Sequence, residues 1–172
     1  TIGTEAVVRA APDGYTLLWS TSPNAINASF YPKLSYDFAR DIAPVAATFR
    51  VPNVMVVNPT LPARTVEDFV AHARSMPGKL NLATGGNGVP SHIAGELFKM
   101  MTGVEMATVH YRGAAPALND LVAGHVHVLF DAMPSSLEHI KAGRVRALAV
   151  TTAERSAALP DLPTVAAVLP GF

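Results

Sequence analysis

Apolar positions along the chain fall into two recurring spacings. Short β-rich runs stand at Tyr15–Ser20, Asn53–Asn58, Lys79–Thr84, Glu105–Tyr111, Val126–Asp131 and Val145–Thr151, and from the middle onward they alternate with helix-length amphipathic runs. Thr65 is placed as the N-cap of the first such helix, with Asp68 three positions on and Val66, Phe69, Val70 and Ala73 on one face; Gly78 ends it. A second helix follows Pro90 and Ser91, turns Ile93, Leu97 and Met100 or Met101 inward and stops before Gly103. A third runs from about Ala114 to Ala123 with Gly124 beyond it, and a fourth from Pro134 to Ala142, with Lys141 in its last turn and Gly143 after it. The order is β-α-β-α-β-α-β. Runs such as VHVLFD and VRALAVT are apolar almost throughout, as strands are when helices cover both faces of a parallel sheet. The expectation is an α/β fold of three layers, a mostly parallel sheet flanked by helices.

The first third is less regular. Residues 21–41 are too irregular for one element, and 42–58 are interrupted by Pro44 and Pro52. A boundary or hinge is expected at residues 50–58, dividing the chain into 1–57 and 58–172. The tail carries several prolines and is expected to wrap the surface with one short helix at Thr164–Val168. The opening TIGTEAVVRA reads as a helix already under way, so processing or truncation upstream is expected.

Composition narrows the chemistry. Thirteen Lys+Arg balance thirteen Asp+Glu over 172 residues, which removes the electrostatic footprint of a nucleic-acid or polybasic membrane-surface protein. No apolar run reaches the roughly 20 residues of a membrane helix. The absence of Cys excludes disulfides, thiolate metal sites and cysteine nucleophiles. A partner is therefore to be sought in a pocket.

Right-handed crossovers place the strand-to-helix loops at one edge of such a sheet, where open α/β folds bind ligands. The first of these loops runs Thr84, Gly85, Gly86, Asn87, Gly88, Val89, Pro90, Ser91, His92. Its glycines let the backbone approach a ligand, and the following helix start offers unpaired N–H groups, an anion seat; the alternative is a flexible glycine turn. It fits neither GxGxxG nor a Walker A loop. The second, Tyr111, Arg112, Gly113, repeats the pattern with a phenol and a guanidinium beside the helix start. Arg112 is either a ligand contact or a solvated surface charge. Two helix starts converging on one cleft suit a carboxylate better than a metal. The third candidate, Asp131, with Pro134, Ser135 and Ser136 opening the next helix, is either a ligand contact or a cap for nearby loop amides. Ser20, Thr21 and Asn24 offer hydroxyls and an amide from the other lobe.

An enzyme would need a nucleophile with a base, or a metal set, and neither assembles. Ser91 and His92 are adjacent on a helix start and so point differently, and no GxSxG elbow is present. His125 and His127 alternate on a strand without a third ligand. His72, His110 and His139 are given no role.

In chain order, APDGYTLL, NPTLPARTVEDFVAHARSMPGKLNLATGGNG, SHIAGELFKMMTG, HYRGAAPALNDLVAGHV, LFDAMPSSLEHIKAGRVRALAVTTAERS and LPDLPTVAAVLPGF resemble the substrate-binding receptors of tripartite tricarboxylate transporters, also called the Bug family. The resemblance covers essentially the whole chain. It implies a type II periplasmic binding protein fold, two α/β lobes joined by a hinge, closing around a small organic carboxylate. It implies delivery of that ligand to integral membrane permease subunits, no cofactor, no metal and no catalysis.

Carried over by position, Thr84, Gly86, Asn87, Gly88, Ser91, His92, Tyr111, Arg112, Gly113 and Asp131 match the second-lobe side of the ligand cleft, and Ser20, Thr21 and Asn24 the first-lobe side. Asn24 stands where family members often carry His. Family receptors are also considerably longer, so the first lobe is expected to be incomplete and the chain a fragment. Two rivals remain: a sensing domain that passes the same binding event to a signalling partner, and a small hydrolase built on His92 with Ser91 or Asp131.

Overall fold

Phe69, Phe98 and Phe130 come from two helices and a strand, yet their rings pack successively, with centroids 6.0 and 5.6 Å apart. They mark one side of a five-stranded sheet in the computed structural model, which describes residues 2–172. The strands are β1 Asn53–Val57, β2 Leu80–Thr84, β3 Met106–His110, β4 Val128–Ala132 and β5 Arg146–Val150, in the spatial order β3-β2-β4-β1-β5. Each falls inside the run expected of it except β4, which ends one residue later, at Ala132.

The helices of this part are α4 Val66–Ser75, α5 Pro90–Thr102, α6 Ala114–Ala123 and α7 Met133–Lys141, preceded in the chain by α1 Ile2–Arg9, α2 Ser22–Phe30 and α3 Phe38–Asp41. Thr65 caps α4 by accepting from the Asp68 N–H at 3.1 Å, and the Asp68 carboxylate accepts from the Thr65 N–H at 3.0 Å. The Arg64 N–H first and the Thr65 N–H second, each donating at 3.0 Å, hold the Asp68 carboxyl below its ordinary pKa. The tail closes with a 3-10 turn at Val165–Ala167, capped by Thr164.

Alternation along the strands sorts the core into two faces. Met55, Val57, Leu82, Val128 and Phe130 pack against Phe69 and Ala73 of α4 and Phe98 of α5. Val54, Val56, Ala83 and Leu129 pack against Ala117, Leu118 and Leu121 of α6 and Met133 of α7. This is the expected α/β fold of three layers.

Strand direction departs from a uniform parallel sheet. β2 is parallel to β3 and β4, but β1 runs antiparallel to both β4 and β5. A run such as NVMVV, buried on both faces, looks the same in either direction, so hydropathy carries no sign of the reversal. The loops after β2, β3 and β4 therefore share one edge, while the segment after β1 lies at the other.

Two compact units make up the chain: residues up to Phe49 with Gly88–Pro90, and Arg50–Asn87 with Ser91–Phe172. The boundary drawn at residue 57 moves accordingly. β1 is bonded on both sides, and Asn58 is pinned by its N–H to His127 O and by its amide to Leu121 O at 2.8 Å. A bend at 53–58 would break those bonds.

In the first unit, Asn24 of α2 accepts from the Thr21 N–H at 2.9 Å and donates to Thr4 of α1 at 3.0 Å. Asp37 caps α3 through the N–H groups of Ala39 and Arg40. The expected strand Tyr15–Ser20 does not form. Tyr15 and Leu17 are exposed, and the Trp19 ring meets Phe49 at 5.9 Å. A strand needs a partner to hydrogen-bond, and none lies beside this run among the described residues.

Candidate functional site

β2 and β3 pair in parallel with Thr84 opposite His110, so the two loops that follow leave the sheet side by side. The Tyr111 N–H donates to Thr84 O at 2.9 Å and the Gly113 N–H to Gly85 O at 3.0 Å, extending the ladder into the loops. A Cβ on Gly85 would stand 3.3 Å from Ala114 N and from Gly113 C, so any larger residue would push the two backbones apart by a few tenths of an ångström. Gly113, at φ 117° and ψ 171°, occupies a region essentially reserved for glycine and turns the chain directly into α6. No side chain caps that start.

Thr84 is fully buried. Its hydroxyl donates to Gly86 O at 2.9 Å and accepts from the Gly86 N–H at 3.3 Å. Ser91, in the first turn of α5, accepts from the Gly85 N–H at 3.1 Å, which closes the glycine loop from its far side. Asn87 is exposed on this loop, and Gly88 takes a positive φ of 70°. Arg112 is exposed and carries no partner among the described residues.

Other expected contacts are already engaged. The Tyr111 hydroxyl donates to Asp120 on α6 at 2.6 Å; burial and that carboxylate push its pKa up to about 12. The phenol thus ties its loop to α6, and sequence reasoning missed the partner because Asp120 lies nine positions away. Asp131 is buried, and one of its oxygens accepts from Ser135 at 2.5 Å and from Ser136 at 2.6 Å. The expected cap for loop amides does not form: Asp131 is held by side-chain hydroxyls, and the start of α7 has no side-chain cap. Ser20, Thr21 and Asn24 belong to the first unit: Thr21 and Asn24 serve the start of α2, and Ser20 is exposed just before it.

His92 lies beside His110, ring centroids 4.9 Å apart and edge-on, with Glu96 3.9 Å from its Nε2. Burial first and His110 second lower its pKa, against the pull of Glu96. For the Glu96 carboxyl burial acts upward, but hydrogen bonds from Thr108 and Lys99 outweigh it and leave the pKa lowered. Ser91 faces Gly85 and Asp131 holds two serines. Among the described residues, no group of three or more His, Cys, Asp or Glu could hold a metal ion.

At this edge the start of α6 has no side-chain cap, and Arg112 has no partner among the described residues. The model of the tripartite tricarboxylate transporter family receptors matches residues 1–172. The chain belongs to that family. Its members are solute-binding receptors of the periplasmic binding protein type. A UPF0065 protein from the tcbD-tcbE intergenic region of Pseudomonas sp. strain P51 is 40% identical over 99% of this chain and 52% of its own length. The protein BugT of Bordetella pertussis is 38% identical over 96% and 51%.

Among solved structures, an R. palustris protein with adipate superposes with a TM-score of 0.84 at 40% identity, covering 99% of this chain and 58% of that one. The periplasmic binding protein BugD gives 0.86 at 32%, covering 99% and 57%; MatC from Rhodopseudomonas palustris with bound malate gives 0.79 at 29%, covering 99% and 58%. The chain thus spans about half the length of the curated receptors it matches. Among the described residues no helix is long and apolar enough to cross a membrane.

Proposed function

We propose that this receptor chain captures a small organic carboxylate at the loop edge of its sheet and serves its delivery, in the periplasm, to the integral membrane subunits of a tripartite tricarboxylate transporter. The observation that carries the reading is the locked pair of loops after β2 and β3. It sets the uncapped start of α6 beside the glycine loop that opens α5, with Arg112 unpaired next to both. Backbone N–H groups at helix starts, the Ser91 hydroxyl and one guanidinium suit a carboxylate, which accepts and does not donate. Adipate and malate in two structural neighbours supply the ligand class.

The loop of Gly86, Asn87 and Gly88 lines the ligand, Ser91 contributes a hydroxyl, Arg112 an ionic contact and Gly113 a close approach; His92 and Thr84 stand behind them, Thr84 holding the Gly86 N–H. The test is calorimetric titration with a panel of mono-, di- and tricarboxylates, assaying the same mixtures for product. Saturable binding without turnover is expected. Turnover, or silence across the panel with the receptor at full length, overturns the reading.

A further inference from the structure

His110, which sequence reasoning left without a role, ends β3 with its imidazole turned onto Thr84: Nδ1 stands 3.1 Å from Thr84 Oγ1. The Thr84 hydroxyl has one hydrogen, and the geometry directs it to Gly86 O at 2.9 Å. Its lone pairs are then left to accept, from the Gly86 N–H at 3.3 Å and from His110. That accounting puts a proton on His110 Nδ1. The ring is held from its other side by His92, edge-on at 4.9 Å. Thr84 is fully buried, so a lone pair abandoned by His110 has little water to turn to, and a hydroxyl that rotates to compensate releases Gly86.

We infer that His110 is a positioning residue for ligand capture, acting through the Thr84 hydroxyl to fix the Gly86 peptide of the glycine loop. The inference rests on the carboxylate reading above. It makes His110 a residue that need not touch the ligand to set its affinity.

The experiment titrates adipate into the full chain and into four variants. His110→Leu is expected to bind about fivefold more weakly, the net worth of one hydrogen bond. His110→Asn, whose amide nitrogen reaches where Nδ1 stands, is expected to restore wild-type affinity. Thr84→Val is expected to weaken binding, and adding His110→Leu to it to cost nothing more, because the imidazole has lost the group it acts through. Wild-type affinity in His110→Leu, no recovery in His110→Asn, or additive losses in the double variant would each overturn the inference.

Exchange of the Gly86 amide hydrogen, followed by NMR without ligand, gives a second readout. It is expected to be faster in His110→Leu and restored in His110→Asn. If adipate binds to no variant, the carboxylate reading fails for that ligand while the Gly86 result still decides the positioning role; unchanged exchange overturns it. Should His110→Leu not fold, Thr84→Val against Thr84→Ser makes the same comparison from the other partner, with loosened Gly86 expected only in the valine variant.

Discussion

α6 and α7 begin at the same edge of the same sheet and are finished differently. At the start of α7 the fold supplies its own carboxylate: Asp131, buried, accepts from both Ser135 and Ser136. At the start of α6 there is only Gly113, whose backbone turns without a capping side chain, and Arg112 stands unpaired beside it. Helix starts carry partial positive charge and favour anions. Neither start has a side chain on its backbone N–H groups, but at α7 the first-turn hydroxyls hold a buried carboxylate, whereas the start of α6 has no acidic residue in its first turn. On the proposed reading, that difference is what leaves α6 to a ligand's carboxylate.

The sharpest way to break this contrast is Asp131→Ala. It strips the buried Ser136 hydroxyl of its acceptor, while the exposed Ser135 keeps Ala132 O, and is expected to lower unfolding free energy by about 2 kcal/mol, read by urea denaturation. A loss under about 1 kcal/mol would mean that α7 does not depend on its internal carboxylate. Gly113→Ala comes next. Its backbone conformation excludes a Cβ at a cost of about 2 kcal/mol, and the displaced start of α6 should weaken carboxylate binding as well. Unchanged stability and affinity together would show that the turn relaxes freely.

Arg112→Gln sharpens the contrast from the ligand side. Stability should stay within about 0.5 kcal/mol of wild type, since the guanidinium makes no contact to lose. Dicarboxylate affinity should fall about tenfold, as for one charged hydrogen bond. The reverse pattern, lost stability with intact binding, would return Arg112 to the solvated surface.

The smallest effect concerns Tyr111. Its folded-state pKa of about 12 lies above the ordinary phenol value of 10.0, so the folded chain holds that proton more tightly. The linked stabilisation is complete below pH 10 and disappears as pH climbs from about 10 to about 12. Ultraviolet titration should find one tyrosine ionising last, and Asp120→Asn should bring it down; a late tyrosine persisting in that variant would assign the shift to burial alone.

Local signals were the legible ones. Thr65 with Asp68, and Gly124 after Ala123, placed the start of α4 and the end of α6 because caps act within a few residues of the chain. The same rule would have found α2, where Thr21 precedes Ser22, Pro23 and Asn24. What stayed hidden depends on neighbours. The run YTLLWS has a strand's composition and no strand beside it, and NVMVV conceals its direction. For the site, the glycines and Arg112 could be read from type and spacing, whereas the partners of Tyr111 and the task of His110 exist only once β2 and β3 lie in register.

The position of β1 has a consequence in time. It enters the sheet first in the chain and sits between β4 and β5, so its bonds include one from Thr151 back to Asn53, 98 residues earlier. β2 and β3 can pair across a single helix, but β1 must wait, apolar on both faces, until nearly all of this chain has been synthesised. Closure over so long a loop is slow, and an unpaired apolar strand is a target for wrong partners meanwhile. The seam between β1 and its two neighbours is where the nascent sheet stays vulnerable until β5 emerges, and where a chaperone that delays folding would have its effect.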